Sequence, residues 1–277
     1  MMLQTFIPHL LITSLMGYLA ESENRFLKRL LINSFIYLYK PDLGEAIHSN
    51  VDNYISYNDF FTRKLKNRGI DKSEKTFISP VDGEIVDHGY IKDKNLIQAK
   101  RYEYSLEELL GEESVDKFNE GYFVTIYLAP TDYHRIHCPY EAVIRRSIHL
   151  GSSLFSVNKK AQETIPKLYI KNERSVLHLS SNIFDYALVS VGASVVGSIV
   201  PFWGSQKTSS RNNLIREWNR GPDESESSIR KGDELAHFKM GSTVILLFED
   251  SKKLDLDSLN QKKRVKFGAE LISLKNL

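Results

Sequence analysis

The sequence predicts an α+β protein in which N-terminal helices precede a mainly antiparallel β core. The first observation is that residues 1–40 contain two short apolar segments typical of helices with a broad apolar face. The second is that, after residue 78, short runs rich in Val, Ile and Tyr alternate with Gly, Pro and Asn. We therefore expect a helical N-terminal region, residues 1–69, followed by a β-rich core, residues 70–277.

Length and composition are those of a folded protein. The chain has 277 residues, of which 42% are hydrophobic and 26% charged, enough to bury a core. Its formal net charge of +2 gives no strong field for nucleic acid, so no nucleic-acid partner is expected. The single cysteine, Cys138, excludes an internal disulfide and a cysteine-based zinc site. Because a basic leader and a small-residue cleavage site are not evident, we expect an intracellular protein.

The N-terminal region is predicted to contain two helices, residues 6–20 and 26–39. The first apolar segment is shorter than the roughly 20 residues that a membrane-spanning helix needs. The second mixes Lys28 and Arg29 with a broad apolar face. We interpret both as helices lying on a membrane surface. The alternative is a helical hairpin packed on the protein's own core.

A polar and mostly helical segment is expected from residue 41 to about residue 69. In the core, Ser105 precedes an apolar helix start and has Glu108 at the capping-box position. Residues 206–232 are rich in Ser, Asn, Arg, Gly and Pro and predict a long loop that could close over a substrate. The predicted strands are residues 84–87, 122–128, 142–149, 187–191, 195–200 and 243–248.

Three segments carry residues suited to chemistry. Gly241 and Ser242 precede a continuous apolar run, Asp82 lies in a turn before a strand, and His134 and His137 share a turn between two strands. Each has an ordinary explanation: a turn, a backbone cap, half of a metal site, or hydrogen-bonded structural histidines. Together, an Asp, a His and a Ser at strand boundaries are the components of a charge relay, although spacing alone does not show that they meet.

Further motifs follow one another along the chain and are closed by Gly241-Ser242-Thr243. They are Phe60-Phe61-Thr62-Arg63-Lys64-Leu65, Pro80-Val81-Asp82-Gly83, Tyr104 to Gly111, Tyr133-His134-Arg135-Ile136-His137, Leu154 to Asn158, Asn172-Glu173-Arg174, Val191-Gly192-Ala193, Val196 to Ile199 and Lys231-Gly232-Asp233-Glu234-Leu235. In these motifs and in their order, the chain resembles the phosphatidylserine decarboxylase family over almost its whole length.

The resemblance implies a proenzyme that cuts itself between Gly241 and Ser242. The products would be a large chain, residues 1–241, and a small chain, residues 242–277, which remain partners. By the family pattern Ser242 is the nucleophile, His137 is its base and Asp82 orients and charge-balances the imidazole. Ser242 then becomes a covalent pyruvoyl group, so neither pyridoxal phosphate nor a metal is expected.

The implied reaction of residues 70–277, the catalytic core, is the decarboxylation of phosphatidylserine to phosphatidylethanolamine and CO2. The pyruvoyl ketone would condense with the serine amine and serve as an electron sink, and His134 would assist decarboxylation or protonation. The resemblance also implies a peripheral protein on the cytoplasmic face of the cell membrane, an anionic membrane surface as partner, and a possible homodimer. The alternative is a non-processing, membrane-associated relative that acts as a binding module or a serine hydrolase, although no Gly-x-Ser-x-Gly elbow is present.

Overall fold

The computed structural model describes residues 16–66, 68–99, 101–112, 115–193, 199–203, 214–217, 227–239 and 242–275. The fold is α+β with mostly antiparallel sheets, as the sequence predicts. Its α-helices after residue 24 are α1 (Arg25–Tyr39), α2 (Tyr57–Phe61), α3 (Leu106–Leu110), α4 (Lys159–Thr164), α5 (Leu168–Lys171) and α6 (Leu256–Asn260). The strands are β1 (Thr76–Ile78), β2 (Gly83–Tyr90), β3 (Asn95–Gln98), β4 (Tyr102–Ser105), β5 (Tyr122–Leu128), β6 (Arg135–His137), β7 (Ala142–Leu150), β8 (Arg174–Ser180), β9 (Asp185–Gly192), β10 (Ile199–Pro201), β11 (Leu214–Glu217), β12 (Ser228–Ile229), β13 (Glu234–Phe238), β14 (Ser242–Phe248), β15 (Leu254–Asp255), β16 (Arg264–Val265) and β17 (Glu270–Leu274).

Helix α1 confirms the second predicted N-terminal helix. Asn24 caps its start by accepting hydrogen bonds from two backbone N–H groups, and Lys40, in the left-handed conformation, ends it before Pro41. Ile32 and Phe35 on its buried face pack with the residues of α2. The first predicted helix falls mostly outside the described residues, of which 16–21 are helical. Within the described part of the chain, no helix is long and apolar enough to cross a membrane.

The segment after α1 is less helical than the sequence analysis expects. Regular structure between residues 41 and 66 consists of a 3₁₀ turn, Val51–Asn53, and the short helix α2. Asn50 and Ser56 each accept a hydrogen bond from a backbone N–H two or three residues further on. Such local side-chain bonds favour turns and short capped helices over one continuous helix.

The core is built on one large antiparallel sheet with the order β11-β7-β8-β9-β14-β5-β2-β16, and β12 also pairs with β7. Strand β14 lies between β9 and β5, and all seven of its residues are buried. Alternate β14 side chains enter different hydrophobic clusters: Val244 and Leu246 join one, and Ile245 and Leu247 join the other. Burial on both faces explains why this strand is a continuous apolar run rather than an alternating one.

Smaller sheets complete the fold and position the segments with candidate chemistry. One has the order β10-β13-β6, the second β1-β17-β15, and β3 pairs with β4. In the first, Glu234 lies opposite His137, and β13 leads towards the 241/242 bond. The predicted strands 84–87, 122–128, 142–149, 187–191 and 243–248 are confirmed. The predicted strand 195–200 is described only from residue 199, and the predicted loop 206–232 lies largely outside the described residues.

The predicted capped helix after Ser105 is also confirmed. The Ser105 side chain accepts from the Glu108 N–H, and the Glu108 carboxylate accepts from the Ser105 N–H. Helix α3 ends at Gly111, whose left-handed φ of 71° is a conformation that glycine adopts readily. The three leucines of this helix are buried and belong to the same hydrophobic cluster as Ile245 and Leu247 of β14.

Candidate active site

Ser242 is the first residue of the central strand and is fully buried. Its backbone lies opposite Leu128 on one side and Gly192 on the other. The hydroxyls of Ser242 and Thr243 are both buried, and neither has a hydrogen-bond partner among the described residues. An unpaired buried hydroxyl costs free energy, so the one at Ser242, beside the predicted cleavage point, is consistent with a chemical role. Gly241, on the other side of the predicted cleavage point, lies outside the described residues.

His134 is fully buried in the turn between β5 and β6. Its Nδ1 lies 2.8 Å from the carbonyl oxygen of Asp132, and because a carbonyl only accepts, Nδ1 carries the proton. The lone pair of the neutral ring is therefore on Nε2, which has no hydrogen-bond partner among the described residues. Burial lowers the His134 pKa to about 3; the hydrogen bond to the Asp132 carbonyl opposes this effect and the Arg63 charge adds to it. His134 thus presents a neutral, unpaired proton acceptor in a desolvated environment.

His137, three residues on, is held on both sides of its ring. Its Nδ1–H donates to the Gly232 carbonyl at 2.8 Å, and its Nε2 accepts from the Tyr133 hydroxyl at 2.8 Å. The ring stacks on Phe267 with centroids 3.7 Å apart. Burial lowers the His137 pKa to about 4, while the hydrogen bond to Gly232 opposes this effect. Gly232 adopts a φ of 89°, where a Cβ would lie 2.5 Å from Ile70, so this position is suited to glycine.

Asp82 lies close to His137 but bonds elsewhere. The backbone N–H of His137 donates to the Pro80 carbonyl at 2.9 Å, and this bond joins the segments that carry His137 and Asp82. One Asp82 carboxylate oxygen accepts from the Phe267 N–H at 2.7 Å and from Arg68 Nη1 at 2.5 Å. Asp82 and His137 therefore contact the same residue: Asp82 accepts from the backbone N–H of Phe267, and the His137 ring stacks on the Phe267 ring.

No hydrogen bond joins Asp82 to His137, or His137 to Ser242, in the described structure. His134 is linked to the cleavage region through the backbone, because its carbonyl accepts from the Phe238 N–H at 2.9 Å. Phe238 ends β13, three residues before Gly241. The structure thus brings Asp82 and His137 into one neighbourhood and ties His134 to the strand that precedes the predicted cleavage point.

One side of the site is formed by residues to which the sequence patterns give no role. The Phe61 ring packs against His134 with centroids 4.2 Å apart. Arg63 Nη2 donates to the Thr131 carbonyl at 2.8 Å, and Arg135 Nε donates to the Thr62 carbonyl at 2.8 Å. Phe61, Thr62 and Arg63 belong to the motif at residues 60–65. The sequence signal for this part of the site was an arginine that follows a cluster of aromatic residues.

A metal centre does not emerge from the described part of the chain. No group of three or more His, Cys, Asp or Glu side chains is placed there so as to hold an ion. The chemistry of the site instead consists of one buried serine, two neutral histidines and a carboxylate held by Arg68.

These features define an α+β protein with a buried serine hydroxyl at the start of its central strand and two buried, neutral imidazoles at His134 and His137. The sequence matches the family profile described as phosphatidylserine decarboxylase over residues 57–273, and a second profile described as PSD over residues 1–40. Proteins named phosphatidylserine decarboxylase proenzyme from Citrobacter koseri, Salmonella agona and Salmonella arizonae are each 37% identical to it over 275 residues. Each match covers 97% of this chain and 85% of the relative. The chain therefore belongs to the phosphatidylserine decarboxylase family of enzymes, which confirms the resemblance inferred from its motifs.

Proposed function

We propose that this protein decarboxylates phosphatidylserine to phosphatidylethanolamine and CO2, using a pyruvoyl group that it makes from Ser242. The observation that carries the proposal is the buried, unpaired Ser242 hydroxyl at the start of β14. Relatives across nearly the whole chain are named as proenzymes of this activity, which supports a processed form. Cleavage between Gly241 and Ser242 would give chains 1–241 and 242–277.

Self-cleavage begins with the Ser242 Oγ and the carbonyl carbon of the preceding residue. Attack within one chain has a high effective concentration, and it exchanges the peptide C–N bond for an ester C–O bond. Loss of the Ser242 α-proton then expels the carboxylate of Gly241 and leaves a dehydroalanine. Water adds to this group, ammonia leaves, and a ketone remains at the new N-terminus. Each step needs a base or an acid near Ser242.

His137 is the base that we assign to this cleavage. Its low pKa leaves Nε2 unprotonated near neutral pH, ready to accept the Ser242 proton. In the proenzyme described here Nε2 accepts from Tyr133, so it must exchange this hydroxyl for that of Ser242. Asp82 positions the imidazole through Phe267, whose N–H it binds and whose ring stacks on His137.

The residues present fit a pyruvoyl group at position 242. The position is fully buried, which excludes bulk water, and no described residue forms a hydrogen bond with the Ser242 hydroxyl. When formed, the group supplies an electron sink for the pair of electrons that the departing CO2 leaves behind. We assign His134 to the proton transfer at the substrate α-carbon: its neutral Nε2, unpaired among the described residues, would accept a proton from the substrate ammonium group, and burial makes the protonated ring acidic enough to return that proton to the α-carbon after CO2 leaves.

We further propose that residues 1–69 bring the catalytic region, residues 70–277, to an anionic membrane surface on the cytoplasmic side. Phe26, Leu30 and Leu38 of α1 are exposed by 86%, 64% and 70%, although large apolar side chains favour burial. A phospholipid substrate places the reaction at such an interface. The homodimer that the family resemblance implies remains part of this proposal.

Intact mass under denaturing conditions tests the function. The purified protein should give two chains divided at Gly241–Ser242, with the small chain lighter by one ammonia than residues 242–277. Ser242→Ala should give one full-length chain and no decarboxylase activity on phosphatidylserine vesicles. A folded wild-type protein with a single full-length mass would contradict the proposal and favour the binding-module or hydrolase alternatives. An active-site serine probe would separate those two.

A further inference from the structure

Arg63 is a buried cation whose guanidinium is only partly bonded. The residue is 4% exposed, and its Nη2 donates to the Thr131 carbonyl. Its Nε and Nη1 are buried and have no hydrogen-bond partner among the described residues, which leaves three N–H groups unused there. Burying a charge is costly unless it is paired, so this arrangement suits an anion that accepts hydrogen bonds from these groups, and no side chain in the described part of the protein does so.

A second buried arginine shows what a purely structural guanidinium looks like in this protein. Arg174 is 6% exposed, close to the value for Arg63. Its Nε, Nη1 and Nη2 all donate to backbone carbonyls, including those of Leu109, Ile170 and Glu108. Arg174 therefore ties chain segments together with every nitrogen used. Arg63 does not serve in this way.

The surroundings of Arg63 are those of the candidate active site. Its anchor, Thr131, lies in the turn that carries His134, and the neighbouring Phe61 packs on the His134 ring. Asp42, Asp82 and Asp132 are near enough to attract the cation, but none forms a hydrogen bond with it. Asp132 accepts from Arg264 and the Ala129 N–H, and Asp82 from Arg68 and the Phe267 N–H.

We infer that Arg63 binds the phosphodiester of the phospholipid headgroup through Nε and Nη1. The inference rests on the proposed function and adds a substrate-binding residue to it. The headgroup offers two anions, a carboxylate and a phosphodiester. A cation bound to the carboxylate would stabilise the ground state and oppose its loss as CO2. The phosphodiester keeps its charge throughout the reaction, so binding it holds the headgroup without raising the barrier.

This assignment predicts how kinetics change. An interaction that is equal in ground and transition states alters KM and leaves kcat almost unchanged. Hydrogen bonds to charged groups contribute about 1.5–3 kcal/mol, which corresponds to a roughly ten- to hundredfold change in KM. Arg63→Gln should show this rise. Arg63→Lys, which keeps the charge but fewer donors, should show a smaller one.

Arg174→Lys is the matched control for burying an altered cation. It should lower the melting temperature while leaving KM within about twofold, because its bonds are structural. Each variant is first checked by intact mass for complete processing and by thermal unfolding. If processed and folded Arg63→Gln keeps the wild-type KM, or loses kcat alone, the inference is wrong while the proposed function stands. If the wild type itself does not decarboxylate phosphatidylserine, the proposed function has failed.

A binding measurement separates the two headgroup anions. Ser242→Ala protein, which cannot react, is titrated with short-chain phosphatidylserine and with short-chain phosphatidylethanolamine, which lacks the carboxylate. Adding Arg63→Gln should weaken the binding of both lipids by the same factor of about ten or more. Weaker binding of phosphatidylserine alone would assign Arg63 to the carboxylate and overturn the inference. Unchanged binding of both lipids would overturn it as well.

Discussion

At the residue scale, the site is marked by polar atoms that the fold leaves unpaired. The Ser242 hydroxyl and His134 Nε2 are both buried without partners among the described residues. The fully buried Gln98 side chain, by contrast, donates twice to backbone carbonyls and accepts from a backbone N–H, whereas the buried hydroxyls of Tyr104 and Thr125 are also unpaired there. Each unpaired group costs about 1–3 kcal/mol. The retention of the Ser242 hydroxyl at the start of β14 and of His134 Nε2 in the turn after β5 is consistent with a role in chemistry.

The two buried histidines make stability depend on pH in a defined direction. Burial lowers the pKa values of His134 and His137 from 6.5 to about 3 and about 4. Between pH 4 and 6.5 the unfolded chain therefore binds protons that the folded chain does not. The contribution of each histidine to the free energy of unfolding should be fully present above pH 6.5. On acidification it should fall by about 1.4 kcal/mol per pH unit for each histidine.

Urea unfolding of the single-chain Ser242→Ala protein at several pH values measures this slope. Other groups in the turn also titrate: burial raises the Asp132 pKa, which opposes the loss, and Arg63 stays charged. The comparison with Ser242→Ala/His134→Gln isolates one histidine. Its slope between pH 4.5 and 6 should be smaller by about 1.4 kcal/mol per pH unit. Equal slopes would show that His134 titrates alike in the folded and unfolded states.

At the element scale, helix α1 has two apolar faces with different fates. Ile32 and Phe35 pack against α2, whereas Phe26, Leu30 and Leu38 point outward and are exposed. Of the two interpretations that the sequence left open, packing on the protein's own core applies to the inner face, and binding to a membrane surface stays a proposal for the outer face. Deleting the helix would uncover the α2 aromatic residues that pack near His134, so the outer face is better tested by substitution.

Replacing Phe26, Leu30 and Leu38 by Ser should weaken binding to anionic vesicles at least tenfold. The expectation follows from the lost apolar area, at about 25 cal/mol per Å². Processing at Gly241–Ser242 should remain complete, because these side chains do not touch the core. Co-sedimentation with phosphatidylserine-containing vesicles measures binding, and Ile97→Ser, at an exposed position on β3, is the matched control. Unchanged sedimentation of the triple variant would contradict a membrane role for this face.

Sequence patterns predicted the elements better than they predicted the site. The apolar run of β14 and the capping box before α3 are local signals, so their strand and helix were expected correctly. The site depends on which distant groups pair. Asp82 is bonded to Arg68 rather than to His137, and Phe61 lies against His134, contacts that no spacing along the chain reveals. Arg63 stood in a recognised motif, but its unused N–H groups become visible only once the fold buries it.

At the scale of the whole molecule, the predicted small chain contributes strands to two different sheets. Strand β14 pairs along its full length with β5 and β9. Further on, β16 pairs with β2 of the same sheet, and β17 pairs with β1. These hydrogen bonds and the burial of β14 do not depend on the peptide bond at Gly241–Ser242. Residues 242–277 should therefore stay in place after cleavage.

This strand pairing between the two chains predicts that the melting temperature of the processed enzyme depends on protein concentration. Because its two chains separate only on unfolding, its melting temperature should rise more steeply with protein concentration than that of single-chain Ser242→Ala, in which only subunit association depends on concentration. Leu246→Ala, in the centre of β14, should lower the free energy of unfolding of the Ser242→Ala chain by about 2–5 kcal/mol, and Ile97→Ala by less than about 0.5 kcal/mol. Calorimetry over a range of concentrations, with size-exclusion chromatography in native buffer, measures both. Release of the small chain on simple dilution would show that the peptide bond, rather than the sheet, holds it.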